Sequence, residues 1–486
     1  MEAKHEPLKI YFLPFMALGH MIPMVKLARV VASRGEHVTI ITTPSNAKLF
    51  SKLIDQDRAT LGSHIIIHTI NFPSKEVGLP EGLENMSSAT DNDGAAKICT
   101  AANLLQQQVE AFVESNPPHV IITDMMFTWS GQLTSCKGIP RLVFSPLSIF
   151  DACITLAIAK LNVSSNSGSA FTVPGLPHAI TLTVMPSLGF IRFTQKILDA
   201  MENSLGVIVE CFLELEAEYA EHYEKLTGRK VWHVGPASLM LNNHMKDVNS
   251  ELNDMREDIV ECLNWLDEQQ NESVVYISFG SLCRFPDEQL SEIACGIEAS
   301  GHKFVWVVRK EDNDDDNEWL PRGFEERMRE EKRGKVVKGW VPQVRILNHP
   351  AIGAFLTQCG LNAMLEAIGC GVPMITMPGF GDQYYHEKHI TQVCGFGVEV
   401  GAQEWTVSPY GGSKSVVRRE RIEDAVKRLM NSESEEGVRV RRQAKELREK
   451  ALEAVKEGGS SHTNLTTMIR DIKHLVFNDG KRNNFV

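Results

Sequence analysis

"AFLTQCGLNAMLEAIGCGVPMITMPGFGDQ", residues 354–383, decides the reading of the fold. It opens on an apolar run of strand length, AFLT, and breaks at Gly360. It continues as LNAMLEAIGC, with apolar residues at helical spacing. A second apolar run, PMITMP, follows, and the stretch ends in Gly-Phe-Gly-Asp-Gln. Strand, loop, helix, strand is the repeating unit of a parallel sheet, because parallel neighbours need a crossover rather than a tight turn. The loop enters a helix N-terminus, where unpaired N–H groups and the positive end of the dipole favour an anion.

The same unit recurs outward from this stretch. Residues 8–43 read as an apolar run (KIYFLP), a break (ALGH), a helical stretch (MIPMVKLARVVASRG) and a β-branched run (EHVTIITTP). HVIITD (119–124) and RLVFSP (141–146) repeat the strand signal. SVVYISFGS (273–281) starts a second series. DEQLSEIACGIEASG reads as a helix closed by glycine, followed by the strands HKFVWVV, GKVVKGW and IGAFLTQ. The pattern is two α/β domains in tandem, the first over 1–245 and the second over 261–465. A polar linker is expected at 246–260 and a final helix at 466–486. In open sheets of this kind ligands lie beyond the carboxyl ends of the strands. Residues just after strands are therefore candidates: His20, Asp124, Gly280, Ser281, Gln358 and Asp382.

Bulk properties agree with that organisation. A chain of 486 residues exceeds one ordinary core and suits two domains of about 200–250 residues. The net charge of −12 argues against a nucleic-acid binder. Ten cysteines without a C-x-x-C pair fit reduced thiols in a cytoplasmic chain. The N-terminus lacks a secretory pattern, and no run of about 18 apolar residues predicts a membrane span.

Several chemistries are set aside. No G-x-G-x-x-G follows a strand, so nicotinamide and flavin chemistry are not expected, and there is no P-loop. HEKH (386–389) spaces its histidines one residue too closely for the zinc-protease helix and reads as exposed helix surface. The acidic run EDNDDDNE (311–318) reads as a solvated loop rather than a metal site.

W-V-P-Q (340–343), H-P (349–350), C-G-x-N (359–362), Glu366, G-V-P (371–373) and D-Q (382–383) stand at the spacing of the plant secondary-product glycosyltransferase signature. With Gly19-His20, Asp124, WHVGP (232–236), SFGS (278–281), WLPRGFEERM (319–328) and EGGSSH (457–462), the chain resembles plant family 1 UDP-sugar-dependent glycosyltransferases over nearly its whole length. The run TMPGFGDQYYHEK (376–388) is most similar to the saponin and triterpenoid branch. The resemblance implies a GT-B fold, two Rossmann-like domains with parallel sheets facing a central cleft. It places the acceptor mainly in the first domain and the donor in the second, with the last helix crossing back to the first. It also implies inverting, metal-independent transfer of a hexose, glucose before others, to a hydroxyl of a triterpenoid saponin or phenolic. The expected partners are the UDP-sugar co-substrate and a hydrophobic acceptor, with no cofactor, no metal and a monomeric chain.

The matched residues take roles from the same resemblance. Trp340 stacks on uracil, with Val341 and Gln343 beside the uridine. Glu366 clamps the ribose, since a carboxylate accepts from two adjacent hydroxyls. Asn362, four residues earlier, shares its helix face. Ser281, Gln358, Gly360, Asn362 and the backbone of Ala363 hold the diphosphate. Asp382 and Gln383 bind sugar hydroxyls, and Asp382 also reads as a helix N-cap. His20 is the catalytic base and Asp124 its orienting partner. The departures lie in Gln-Cys-Gly-Leu-Asn-Ala (358–363), where the family has His-Cys-Gly-Trp-Asn-Ser. Gln358 keeps a donor without a charge, Ala363 loses a hydroxyl, and Leu361 removes a ring from beside the sugar. The expectation is an active transferase with an adjusted donor pocket. The alternative is a pseudoenzyme that binds a small molecule or a partner enzyme without transfer.

Overall fold

The computed structural model describes residues 6–132, 138–161, 170–242, 256–308, 319–401, 404–406, 408 and 415–477. The chain forms two compact units. The first is Met1–Cys153 with Arg192–His244 and Glu453–Val486; the second is Ile154–Ile191 with Met245–Leu452. Residues 154–191, read from sequence as part of the first domain, thus group with the second unit. One reason is a pair of backbone hydrogen bonds with Gln392: Thr181 N donates to its Oε1 (2.9 Å), and its Nε2 donates to Thr181 O (3.0 Å). Most of the expected linker, 246–255, and the acidic run 311–318 lie outside the described residues. Residues 257–260 of that linker already belong to a helix, Glu257–Asp267.

The strands are, in chain order, β1 Lys9–Leu13, β2 His37–Thr42, β3 Ile65–Thr69, β4 Val120–Asp124, β5 Arg141–Ser145, β6 Phe171–Val173, β7 Ile180–Leu182, β8 Val207–Val209 and β9 Val231–His233. The series continues with β10 Val274–Ser278, β11 Lys303–Val308, β12 Gly334–Lys338, β13 Ile352–Thr357, β14 Met374–Thr376 and β15 Gly397–Glu399. Four helices matter here: α1 Leu18–Ser33, α2 Leu361–Cys370, α3 Gln383–Lys388 and α4 Ser460–Phe477.

In the first unit seven parallel strands run in the order β3-β2-β1-β4-β5-β8-β9. β4 and β5 are buried at every residue, as strands covered on both faces must be. Ile10, Phe12, Ile122 and Phe144 of the sheet share one core cluster with Met24, Leu27 and Val31 of α1. Leu465, Met468 and Ile472 of α4 complete that cluster, so the last helix packs inside the first unit. Ser461 Oγ donates to Gly235 O (2.6 Å), and Lys473 pairs with Glu36 (2.7 Å).

The second unit has six parallel strands in the order β12-β11-β10-β13-β14-β15, plus the antiparallel hairpin β6–β7. Its core includes Trp306 and Trp319, packed edge to face at 5.4 Å. In both large sheets the strand order reverses at one place, between β1 and β4 and between β10 and β13. Those are the topological switch points where α/β sheets bind ligands. His20 follows β1 and Asp124 closes β4 at the first; Ser281 and Gln358 follow β10 and β13 at the second.

The expectation for HEKH is overturned. His386, Glu387, Lys388 and His389 are all at most 2% exposed. Charged side chains bury when they pair. Lys388 Nζ reaches Glu387 (2.8 Å) and Glu399 at the end of β15 (2.6 Å), and Thr376 of β14 donates to Glu387 (3.1 Å). Burial pushes the Glu387 carboxyl up to about 7. Among the described residues no cluster of three His, Cys, Asp or Glu could hold a metal ion, and no helix is long and apolar enough to cross a membrane.

Candidate active site

In the first unit the register of β1 on β4 pairs Leu13 with Thr123, which brings the start of α1 beside the end of β4. His20 lies in the first turn of α1, with its backbone N–H on Ala17 O (3.0 Å). Its Nδ1 is 3.1 and 3.0 Å from the two oxygens of Asp124. The Asp124 side chain is wholly buried, while that of His20 is 20% exposed. Asp124 Oδ1 also accepts from Met126 N (2.9 Å), which fixes the carboxylate. A carboxylate only accepts, so Nδ1 carries the proton and the basic lone pair of the neutral ring lies on Nε2. An imidazole so oriented can take a proton from a hydroxyl and share the resulting charge with its partner.

In the second unit Gln343 and Glu366 meet directly. Gln343 Nε2 donates to Glu366 Oε2 (2.8 Å), and Tyr276 OH donates to Gln343 Oε1 (3.3 Å). Trp340 is 69% exposed, so its indole is not core and its face can stack on a flat ring. Val341 is buried, which leaves its backbone as the part able to touch a ligand. Arg256 was not anticipated from sequence. Its guanidinium donates to Lys338 O (2.5 Å) and Trp340 O (3.4 Å), holding the loop that presents the indole. Contacts to backbone carbonyls follow no residue spacing, so no sequence signal points to it.

Gln358 is buried at the end of β13. Its Oε1 accepts from Thr357 Oγ1 (2.7 Å), which leaves the amide NH2 as its donor group. That amide packs over Gly280, where a Cβ would come 2.1 Å from Nε2 and the φ of +67° already favours glycine. Cys359 follows with an uncommon φ of +69°, and Gly360 caps α2 without a side-chain hydrogen bond. The first turn of α2 therefore keeps its N–H groups from any cap side chain. Leu361 and Ala363 are buried, whereas Asn362 and Glu366 are partly exposed one turn apart.

Asp382 occupies the N-cap position of α3 but makes no capping hydrogen bond, so the N-cap reading fails. Its backbone sits in the helical region, which turns the side chain away from the following N–H groups. Its Oδ2 instead lies 3.5 Å from His386 Nδ1. Gln383 Oε1 accepts from Gly379 N (2.9 Å) and Phe380 N (3.1 Å) and so holds the Gly-Phe-Gly loop.

Two doubly wound parallel sheets, one with an oriented His–Asp pair and the other with a helix N-terminus amid amide and carboxylate side chains, belong to the GT-B class of nucleotide-sugar transferases. The model of the "UDP-glucoronosyl and UDP-glucosyl transferase" family matches residues 184–434. The chain belongs to this family and is a UDP-glycosyltransferase. It is 43% identical to UDP-glucosyl transferase 73CC6 of Saponaria officinalis, over 96% of this chain and 97% of that one. It is also 43% identical to UDP-glucose flavonoid 3-O-glucosyltransferase 7 of Fragaria ananassa, over 98% and 99%. Among solved structures it is similar to Glycyrrhiza uralensis UGT73P12 complexed with glycyrrhetinic acid 3-O-monoglucuronide. The TM-score is 0.88 at 36% identity, covering 98% of each chain.

Proposed function

We propose that the chain transfers glucose from UDP-glucose to a hydroxyl of a triterpenoid saponin or phenolic acceptor, by a single displacement that inverts the anomeric carbon. The observation that carries the mechanism is the two-oxygen grip of Asp124 on His20 Nδ1. His20 Nε2 takes the acceptor proton as its oxygen attacks C1 on the face opposite UDP, and Asp124 stabilises the imidazolium. Trp340 stacks on uracil beside Val341 and Gln343. Glu366, steadied by Gln343, accepts from the ribose hydroxyls. The charge growing on the leaving diphosphate is met by the N–H groups at Gly360, Asn362 and Ala363, with the Gln358 amide, Asn362 and Ser281 as side-chain donors. These are fixed dipoles, so no metal is required of the reaction. Asp382 and Gln383 hold sugar hydroxyls.

The acceptor class is supported by relatives: the Glycyrrhiza structure holds a triterpenoid glucuronide and the Fragaria relative is named for flavonoids. No disulfide joins the described cysteines, which supports a reducing, cytoplasmic setting. The test is UDP release over a panel of UDP-sugars with triterpenoid, saponin and flavonoid acceptors, with products read by mass spectrometry and linkage by NMR. UDP-glucose and a β-linked product are expected. Turnover with another UDP-sugar alone, or an α-linked product, would overturn the assignment.

A further inference from the structure

We propose that His386 is a positioning residue that couples the two halves of the donor site, an inference that rests on reading that site as a UDP-sugar site. Its imidazole is wholly inaccessible to solvent, and Nδ1 lies 2.9 Å from the carbonyl oxygen of Cys359. A carbonyl only accepts, so Nδ1 carries the proton and donates it there. Cys359 stands at φ +69°, a left-handed backbone that a residue with a Cβ keeps only under constraint. The next residue, Gly360, is the N-cap of α2. Pinning the Cys359 carbonyl therefore sets the plane of the 359–360 peptide and the aim of the N–H groups that open α2. On its own helix His386 stands one turn after Asp382, whose Oδ2 is 3.5 Å from the same nitrogen. One N–H is thus fixed between the backbone before the anion-binding turn and the carboxylate assigned to the sugar. Moving this ring misaligns diphosphate and sugar together and leaves the uracil–ribose side, built on Trp340, Gln343 and Glu366, in place.

Calorimetry on the full chain with UDP and with uridine tests this. His386→Leu is expected to weaken UDP about tenfold or more, the worth of a lost buried hydrogen bond, while uridine changes by about twofold at most. The KM for UDP-glucose then rises more than kcat falls. His386→Asn, whose amide N–H can stand where Nδ1–H stood, is expected to keep UDP within about threefold of wild type. Equal loss of uridine and UDP in the leucine variant, or unchanged UDP binding, overturns the role, because it makes His386 general packing. If the leucine variant does not fold, the asparagine variant decides, and a folded His386→Asn that loses UDP tenfold overturns it. A wild-type chain that binds UDP no tighter than uridine would instead overturn the diphosphate reading itself, and this proposal with it.

Discussion

Asp124 is fully buried with both oxygens on one ring nitrogen, so it decides which tautomer of His20 exists. In Asp124→Asn the amide can donate to Nδ1 and favour the wrong tautomer. We expect kcat to fall about 10²–10⁴-fold in both Asp124→Asn and His20→Ala. The Kd for UDP, measured by calorimetry, should stay unchanged in both. Near-normal turnover in either variant would contradict the base assignment. Glu366→Ala removes the carboxylate that Gln343 holds, and should raise the KM for UDP-glucose about tenfold with a smaller effect on kcat. Initial-rate kinetics over donor concentration distinguish these patterns. The placement of these residues was legible in the sequence because each ends or follows a strand or stands at a signature spacing. Arg256 and His386 were not, since each acts on a backbone carbonyl, and such contacts depend on the fold rather than on residue spacing.

At the scale of the element, the loops after β10 and β13 are packed against one another through a glycine and an amide. Gly280→Ala would place a Cβ 2.1 Å from Gln358 Nε2 and an L-residue at φ +67°. The left-handed backbone costs about 1–2 kcal/mol, and the displaced amide no longer points where the diphosphate is proposed to bind. A lower Tm and a raised KM for UDP-glucose are expected together.

Helix α3 shows where periodicity misleads. Polar and charged letters in HEKH suggested an exposed face, yet the strands β14 and β15 supply Thr376 and Glu399 as partners and the helix sinks into the unit. Glu387 then titrates higher in the folded chain, near 7, than its ordinary 4.5. Between those values the folded state binds more protons than the unfolded one, so this group's contribution favours folding at acid pH and is lost as pH rises through about 7. Glu387→Gln should flatten that part of the profile, by about 2–4 °C in Tm per kcal/mol removed. Scans from pH 5 to pH 8, a range chosen to bracket about 7, would show parallel curves for variant and wild type if the account is wrong.

For the whole molecule, the sequence allowed two parallel α/β domains and the structure supplies their strand orders. Both sheets place the first strand of their series away from the edges, and each reverses its strand order once, beside His20 and Asp124 in the first and Ser281 and Gln358 in the second. Alternating strand and helix signals predict parallel pairing but say little about lateral order, which depends on packing over long sequence distances. The segment 154–191 is the clearest case. Its two short strands carry no sign of the unit they join, and a mutual pair of hydrogen bonds to Gln392 ties them to the second. The last helix, expected at 466–486, begins earlier, at Ser460 inside EGGSSH; residues 478–486 lie outside the described residues, and its apolar face completes the core of the first unit. A chain ending at Lys456 would lack Leu465, Met468 and Ile472 and so expose the core they cover, at about 1.5–3 kcal/mol for each lost side chain. Proteolysis should then degrade the first unit selectively, whereas the intact chain resists.

The central claim is that one oriented imidazole and one metal-free donor site perform glucosyl transfer. Its most direct test is UDP release from UDP-glucose with a triterpenoid or flavonoid acceptor in the presence of a strong chelator, comparing wild type with His20→Ala. Chelator-insensitive formation of a β-glucoside that falls at least about 100-fold in the variant is the predicted result. Turnover abolished by the chelator, or equal in the two proteins, would contradict the account.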